Sequence, residues 1–433
     1  MLAALAALPL TGAVGACSGG AASRTADGGT TRITFWSALR GSQEVVDAFN
    51  RTHDRIQVDF EQVPSGLQGG YAKLSNAARA GNAPDVATIE YPQVPEFAID
   101  GVARDLTGLV SDRLRARLLP EALGLTTFEG RTYTVPLDIE PMVLHYRADL
   151  FRRYGLDVPT TWEEFAETAR TVRRRAPGRR LAYFPTDGGT QFSAWAWQAG
   201  AQWFETRKGA WNVSLTDAPT RRVAAYWQRL LDGDALPAYA ANSQEANAHV
   251  AAGRVLARLS GAWDAGAHMN AQPGQKGLWR LAPMPQWDPG RPAVGTHGGS
   301  TFAVTRDSKY PEAAMEFIEW QVTHPDALRA RLSSGTSSQF PVADELVAVG
   351  AKAFDRSYYG GQDIYRLFDE QARSVRHGWT WGPRMSATHS LMDDGFARAG
   401  GGAGTLLDAV RAAQDGTMPD LEALGLNTTR RST

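Results

Sequence analysis

Apolar and polar positions alternate over Arg32-Ile33-Thr34-Phe35-Trp36, which puts Ile33 and Phe35 on one face and predicts a strand. Ser37 to Gly41 reads as a loop. Val45, Val46 and Phe49 then fall on one side of a helix over Ser42 to Asn50. Ile56, Val58 and Phe60 alternate again over 55–60. Tyr71, Leu74 and Ala78 recur at helical spacing over 68–80, with Gly81 as the stop. Pro84-Asp85 leads into the apolar run Val86 to Ile89, read as a buried strand. This β-α-β-α-β order implies a mainly parallel sheet with helices packed on it.

The pattern continues downstream. Thr161-Trp162-Glu163-Glu164 fits a capping box, with Phe165, Ala169 and Val172 on the apolar face of the helix it opens. Tyr310 to Val322 reads as a helix with Pro311 in its first turn and Ala314, Phe317 and Ile318 buried. Phe302 to Val304 reads as a strand. Trp162 and Trp320 sit on amphipathic helices and are expected in the core. The Gly-rich stretch Ala399 to Gly404 lacks the preceding strand and following Lys-Ser/Thr of a phosphate cradle, so it reads as a connection.

Composition narrows the classes. With 45 basic and 46 acidic residues the chain is balanced, which argues against a nucleic-acid partner. A length of 433 residues exceeds one compact core. Thirteen Trp is high for that length. Trp fills cores, and it also serves sugar sites, where its flat apolar face fits the C–H face of a pyranose ring.

The single cysteine, Cys17, closes an apolar leader that runs from Leu2 to Ala16. With Val14-Gly15-Ala16 before it, the segment resembles a bacterial lipobox, although no Lys or Arg precedes the apolar run. The run is shorter than the roughly 20 residues that span a bilayer. The expectation is a lipoprotein signal peptide over 1–17, lipidation at Cys17 and a flexible tether over 18–30. The folded part is then held at the extracellular face of the membrane by its lipid. No internal disulfide can form.

Several segments together resemble family 1 extracellular solute-binding proteins, the sugar receptors of ABC importers. They are Ile33 to Asn50, Ala80-Gly81-Asn82-Ala83-Pro84-Asp85-Val86, and Phe97 to Leu106 with Gly101 and Asp105. Gly130 to Pro136 with Leu144-His145-Tyr146-Arg147 follows, then Leu150 to Phe165 with Gly155, Pro159 and Thr161-Trp162-Glu163-Glu164-Phe165. Ala252-Gly253-Arg254 to Trp263, Gly298-Gly299 with the Pro311 to Trp320 helix, and Asp420 to Gly425 complete the set. The matches run in order from about residue 32 to 426. The resemblance implies an α/β, two-lobed, type II periplasmic-binding-protein-like fold, with the ligand cleft between lobes joined by crossing strands. Carried over, one lobe is 31–140 plus 299–350, the other is 141–298 plus 351–427, and 428–433 is a disordered tail.

In open α/β sheets ligands sit beyond the carboxyl ends of the strands. That rule selects Trp36, Ser37 and Arg40 after the first strand, Glu90 and Tyr91 after the third, and Asp138 after the segment Tyr133 to Leu137. Carboxylates accept from pairs of hydroxyls, and Arg donates to sugar oxygens. The family resemblance adds Trp263 and Asp264, and Gly299 in Gly298-Gly299-Ser300, where backbone comes close to ligand or simply turns. Trp195 and Trp197 alternate beside Gln191, and either present a ring to the cleft or pack in the core. Trp379, Trp381 and Arg384 form a further aromatic-basic loop.

No HExxH or Gly-x-Ser-x-Gly pattern occurs. His53, His145, His249, His268, His297, His324, His377 and His389 are scattered along the chain. No catalytic group, metal or cofactor is expected. The expected function is a monomeric receptor that binds a carbohydrate, an oligosaccharide in preference to a monosaccharide, and hands it to ABC permease subunits. A carbohydrate-active enzyme, or a receptor for a phosphodiester or polyamine, is the alternative.

Overall fold

Ile33 and Phe35 are fully buried in strand β1 (Thr31–Ser37), as their alternation requires. The computed structural model describes residues 29–430 apart from 208 and 242, so Cys17 and its leader lie outside the described residues. Helix α1 (Ser42–Asn50) buries Val45, Val46 and Phe49. Strand β2 (Ile56–Gln62), helix α2 (Gly70–Arg79) and strand β3 (Val86–Glu90) follow. Both β2 and β3 pair with β1 in parallel. Phe35 is the centre of this core, with edge-on contacts to Phe302 and Phe317 at 5.7 and 5.4 Å between centroids. Aromatic pairs prefer such geometry.

The sheet is completed from far along the chain. Ser300–Val304 pairs antiparallel with β3 and also with the short strand Val135–Pro136. A second sheet is built around Met142–Arg147, flanked antiparallel by Ala257–Gly261 and Trp279–Pro283. The parallel arrangement read from the opening segments therefore holds for β1 to β3. It gives way to antiparallel pairing where the chain leaves the first sheet and returns.

Three extended segments run between the two sheets and bond to one another. Leu137 N–H donates to Ser300 O at 2.9 Å, Ile139 N–H to Phe340 O at 3.1 Å, His297 N–H to Glu140 O at 3.0 Å and Met142 N–H to Gly295 O at 3.1 Å. Extended backbone alternates its side chains. Leu137 and Ile139 go into the core, while Asp138 and Glu140 face the space between the sheets.

The capping box is present: Thr161 Oγ1 accepts from Glu164 N–H at 3.1 Å, and Glu164 accepts in return from Thr161 N–H. Helix Pro311–Thr323 buries Ala314, Phe317 and Ile318. Helix Met385–Gly400 takes in the first two residues of the Gly-rich stretch, and the connection proper leads to helix Leu406–Ala423. The reading of 428–433 as disordered is corrected for its described part. Asn427–Arg430 is a strand that pairs in parallel with Ala210–Val213, where backbone pairing overrides a polar, low-hydrophobicity sequence. No helix among the described residues is long and apolar enough to cross a membrane.

Candidate functional site

A cavity of about 650 Å³ opens between the two sheets. Its floor and walls come from the carboxyl ends of β1 and β3, the loop after β2, the crossing segments, and the strand Ala257–Gly261 with the turn after it. The strand ends selected by that rule therefore border this cavity. Trp36, Arg40, Glu90, Asp138, Trp263, Gly299 and Trp381 all line the cavity.

Trp36 follows the buried Phe35, so alternation turns its ring out of the core. One face is covered by the Lys73 ammonium, 4.3 Å from the ring centroid. Lys73 is itself ion-paired to Glu61. Trp263 donates its indole N–H to His297 O at 2.9 Å. Arg40 donates Nε–H to Thr336 O at 2.8 Å. Gly299 has φ 102°, and a Cβ there would lie 2.7 Å from the Tyr91 ring, so the turn rests directly on that ring.

Carboxyl groups give the cavity its chemistry. Asp138 Oδ1 accepts Ser300 N–H at 2.6 Å. Burial pushes the Asp138 carboxyl up to about 7, with Glu90 adding to the rise and Ser300 N–H and Arg331 opposing it. Burial, and then the neighbouring Asp138, drive the Glu140 carboxyl well above its ordinary range. Its Oε2 is buried with no hydrogen-bond partner among the described residues. Burial also raises Glu90, although the Tyr71 side chain pulls the other way. Facing them, Arg331 is lowered by burial to about 10 and donates to Arg40 O, Ser42 Oγ and Gln321 Oε1 at 3.1, 3.3 and 3.0 Å.

Six of the residues selected from sequence do not line the cavity. Ser37 turns inward, and its Oγ accepts from Leu39 N–H at 3.0 Å and Thr88 Oγ1–H at 2.9 Å. Tyr91 lies beneath the Gly299 turn and donates its hydroxyl to Asp138 O at 2.7 Å. Trp195 is a core ring stacked on Trp227 at 4.2 Å, and Trp379 stacks on Trp197 at 5.1 Å. Trp381, which does line the cavity, is almost wholly buried and meets Trp379 edge-on. Asp264 is buried in an ion pair with Arg258 at 3.3 Å. Arg384 forms a fork with Asp100 at 3.0 and 2.9 Å and reaches Glu96 at 3.7 Å. Tyr91, Trp195, Trp379 and Arg384 are captured by partners distant in sequence, whereas Asp264 is held by the nearby Arg258.

Tyr71, Glu140, His297 and Arg331 line the cavity without having been selected. Glu140 stands two residues after Asp138, so the alternation that exposes one also exposes the other. Arg331 sits on the helix Pro325–Ser333 with no local signal. Among the described residues no cluster of three or more His, Cys, Asp or Glu is placed to hold a metal ion.

Two α/β units joined by crossing segments, with a polar and aromatic cavity between them, define a type II periplasmic-binding-protein fold. Residues 37–327 match the family model for bacterial extracellular solute-binding proteins, and the chain belongs to that family. It is similar to the galacto-N-biose/lacto-N-biose I-binding protein of an ABC transporter from Bifidobacterium longum, solved with lacto-N-biose. The TM-score is 0.83 at 26% identity, covering 93% of this chain and 100% of that one. The arabinooligosaccharide-binding protein of Bacillus subtilis is 24% identical over 322 residues, 71% of this chain and 72% of that one. A maltooligosaccharide ABC transporter solute-binding lipoprotein of Streptococcus pneumoniae is 21% identical, covering 80% and 79%.

Proposed function

We propose that this chain is an extracellular receptor that captures an oligosaccharide in the cavity and delivers it to the permease subunits of an ABC importer. The observation that carries this reading is the lining itself. The Trp36 and Trp263 rings stand beside Glu90, Asp138, Glu140 and Arg40 on the walls of one cavity. Flat apolar faces suit the C–H faces of sugar rings, and carboxyl and guanidinium groups suit their hydroxyls. A volume of about 650 Å³ lies inside the roughly 300–1,000 Å³ of small-molecule sites. The sugar ligands in the names of its relatives support the same class.

The lobes of this receptor are 31–140 with 299–350, and 141–298 with 351–427. Ligand favours the closed arrangement because only closure completes contacts from both. The receptor is a monomer, tethered to the outer face of the membrane through lipid on Cys17, and its work is conformational rather than catalytic.

Titration calorimetry and thermal melts against arabino-, malto- and galactooligosaccharides test the reading. Ligand at about 100 times its dissociation constant should add roughly 2.7 kcal/mol. Chromatography of the same mixtures should return the sugars uncleaved. Turnover overturns the receptor reading, and binding of a polyamine or phosphodiester in place of every sugar overturns the ligand class. For the anchor, Cys17→Ala should leave uncleaved precursor or release protein to the medium. Mature-sized protein that resists alkaline washing contradicts the tether.

A further inference from the structure

The loop after β2 reads Val63-Pro64-Ser65-Gly66-Leu67-Gln68-Gly69-Gly70. It sets one large apolar side chain among glycines and polar residues. Leu67 is 53% exposed, and it and Ile99 are the large hydrophobics found exposed among the described residues. Leu67 lines the cavity between the lobes.

This loop is built to hold its tip in place. Ser65 O accepts from Gln68 N–H at 3.0 Å and from Gly70 N–H at 3.2 Å, and Ser65 Oγ–H donates to Gln68 Oε1 at 2.9 Å. A Cβ on Gly66 would lie 2.3 Å from the Tyr71 ring, and one on Gly70 would lie 2.2 Å from Pro64 O. Gly69 takes φ 113°. The glycines are thus used for close approach as well as for turning. Tyr71 in turn accepts Glu90 N–H at 3.1 Å, which ties the loop to the cavity floor.

Trp36, the aromatic platform of the same wall, has one face already taken by Lys73. Its ring can stack on one sugar only. Trp263 is the other platform in the lining, so a sugar unit beyond these two needs a further apolar surface, and the exposed Leu67 side chain on its fixed loop supplies one.

We propose that Leu67 forms an outer subsite that packs against the C–H face of a sugar unit beyond those held at Trp36 and Trp263, and so sets the chain length the cleft prefers. This rests on the reading of the cavity as an oligosaccharide site. A leucine surface adds apolar contact without hydrogen bonds, so the subsite favours longer chains while tolerating different linkages.

The test is calorimetry on wild type, Leu67→Ala and Leu67→Met. The ligands are two-, three- and four-unit members of the arabino-, malto- and galactooligosaccharide series, with a melt of each unliganded protein. Wild type should gain affinity from the disaccharide to a longer member of one series. Leu67→Ala should weaken the longer sugar by about three- to tenfold and the disaccharide by less than about twofold. Leu67→Met should stay within about twofold of wild type on every sugar, and all three melts should agree. Equal losses on short and long sugars, no loss, or no gain with length in wild type overturns the outer subsite while leaving the sugar reading intact. Wild type that binds no member of any series overturns both.

Discussion

The Trp263 indole N–H donates to the backbone oxygen of His297 at 2.9 Å, and the two rings meet at 67° with centroids 5.8 Å apart. His297 immediately precedes the Gly298-Gly299 turn, so one hydrogen bond fixes the ring against the segment that returns the chain to the first sheet. The ring is partly exposed and lines the cavity. Trp263→Ala should weaken sugar binding by roughly tenfold to a hundredfold through lost stacking area. Trp263→Phe keeps a flat face but loses the N–H donor, and should fall between. The unliganded melt of Trp263→Ala should drop by less than the 3–5 kcal/mol typical of a fully buried Trp. Unchanged affinity with a collapsed melt would make Trp263 a core residue.

Gly299 offers a backbone test of the same turn. At φ 102°, with the Tyr91 ring 2.7 Å from where a Cβ would stand, Gly299→Ala must shift the turn or the ring. The expected cost is on the order of 1–3 kcal/mol. Sugar affinity should fall as well, because Ser300 N–H, the donor to Asp138, is the next residue. Gly108→Ala is the control, since nothing lies within 4 Å of its Cβ position. It should change stability by no more than about 0.5 kcal/mol. Equal melts for the two variants would contradict the crowding argument.

Local patterns were legible in the sequence and long-range capture was not. The alternation in β1 and β2, the spacing in α1 and α2, and the Thr161 box depend on neighbours in the chain. The strand-end rule located the cavity because β1, β3 and the Pro136–Glu140 segment all end there. It failed at Ser37 and Tyr91 because the residue beside a cavity-facing one points inward. The tryptophans show a different gap. Whether Trp195 meets a sugar or Trp227 depends on a helix thirty residues away, and composition cannot say. Arg384 finds its carboxylate 284 residues away at Asp100, and Arg331 reaches the cavity only through the packing of its helix.

Arg384 should behave as a structural residue. Its fork on Asp100 ties the end of helix α3 (Val94–Ile99) to the start of Met385–Gly400. Arg384→Ala leaves Asp100 and the partly buried Glu96 without that cation, and should cost about 1–2 kcal/mol in an unliganded urea melt. Arg384→Lys cannot restore the fork and should recover only part of the loss. Sugar affinity should change less than in Trp263→Ala. A larger affinity loss, with the melt unmoved, would return Arg384 to the ligand contacts.

The buried Asp138 makes a prediction with a definite sign. Its folded pKa is raised by burial from the ordinary 3.8 to about 7. The folded state therefore holds the proton more tightly than the unfolded state. The stability this contributes is fully present below about pH 4 and is lost as pH rises through about 7. Asn keeps an oxygen for Ser300 N–H and has no proton to lose. Stability of Asp138→Asn relative to wild type should therefore rise between about pH 4 and pH 7 and level off above. The total gain should be on the order of 1–3 kcal/mol. Removing the Asp138 charge also relieves Glu140, which acts in the same direction. Burial lowers His145 to about 4 and His268 to about 3. Their contribution has the opposite sign, present above the ordinary 6.5 and lost as pH falls, but both proteins keep them and they cancel in the difference. Urea melts of the two unliganded proteins at pH 4.5, 6 and 8 measure it. A difference that stays constant across those three points would mean that Asp138 stays ionised in the cleft, held by Arg331 and Ser300 against its burial.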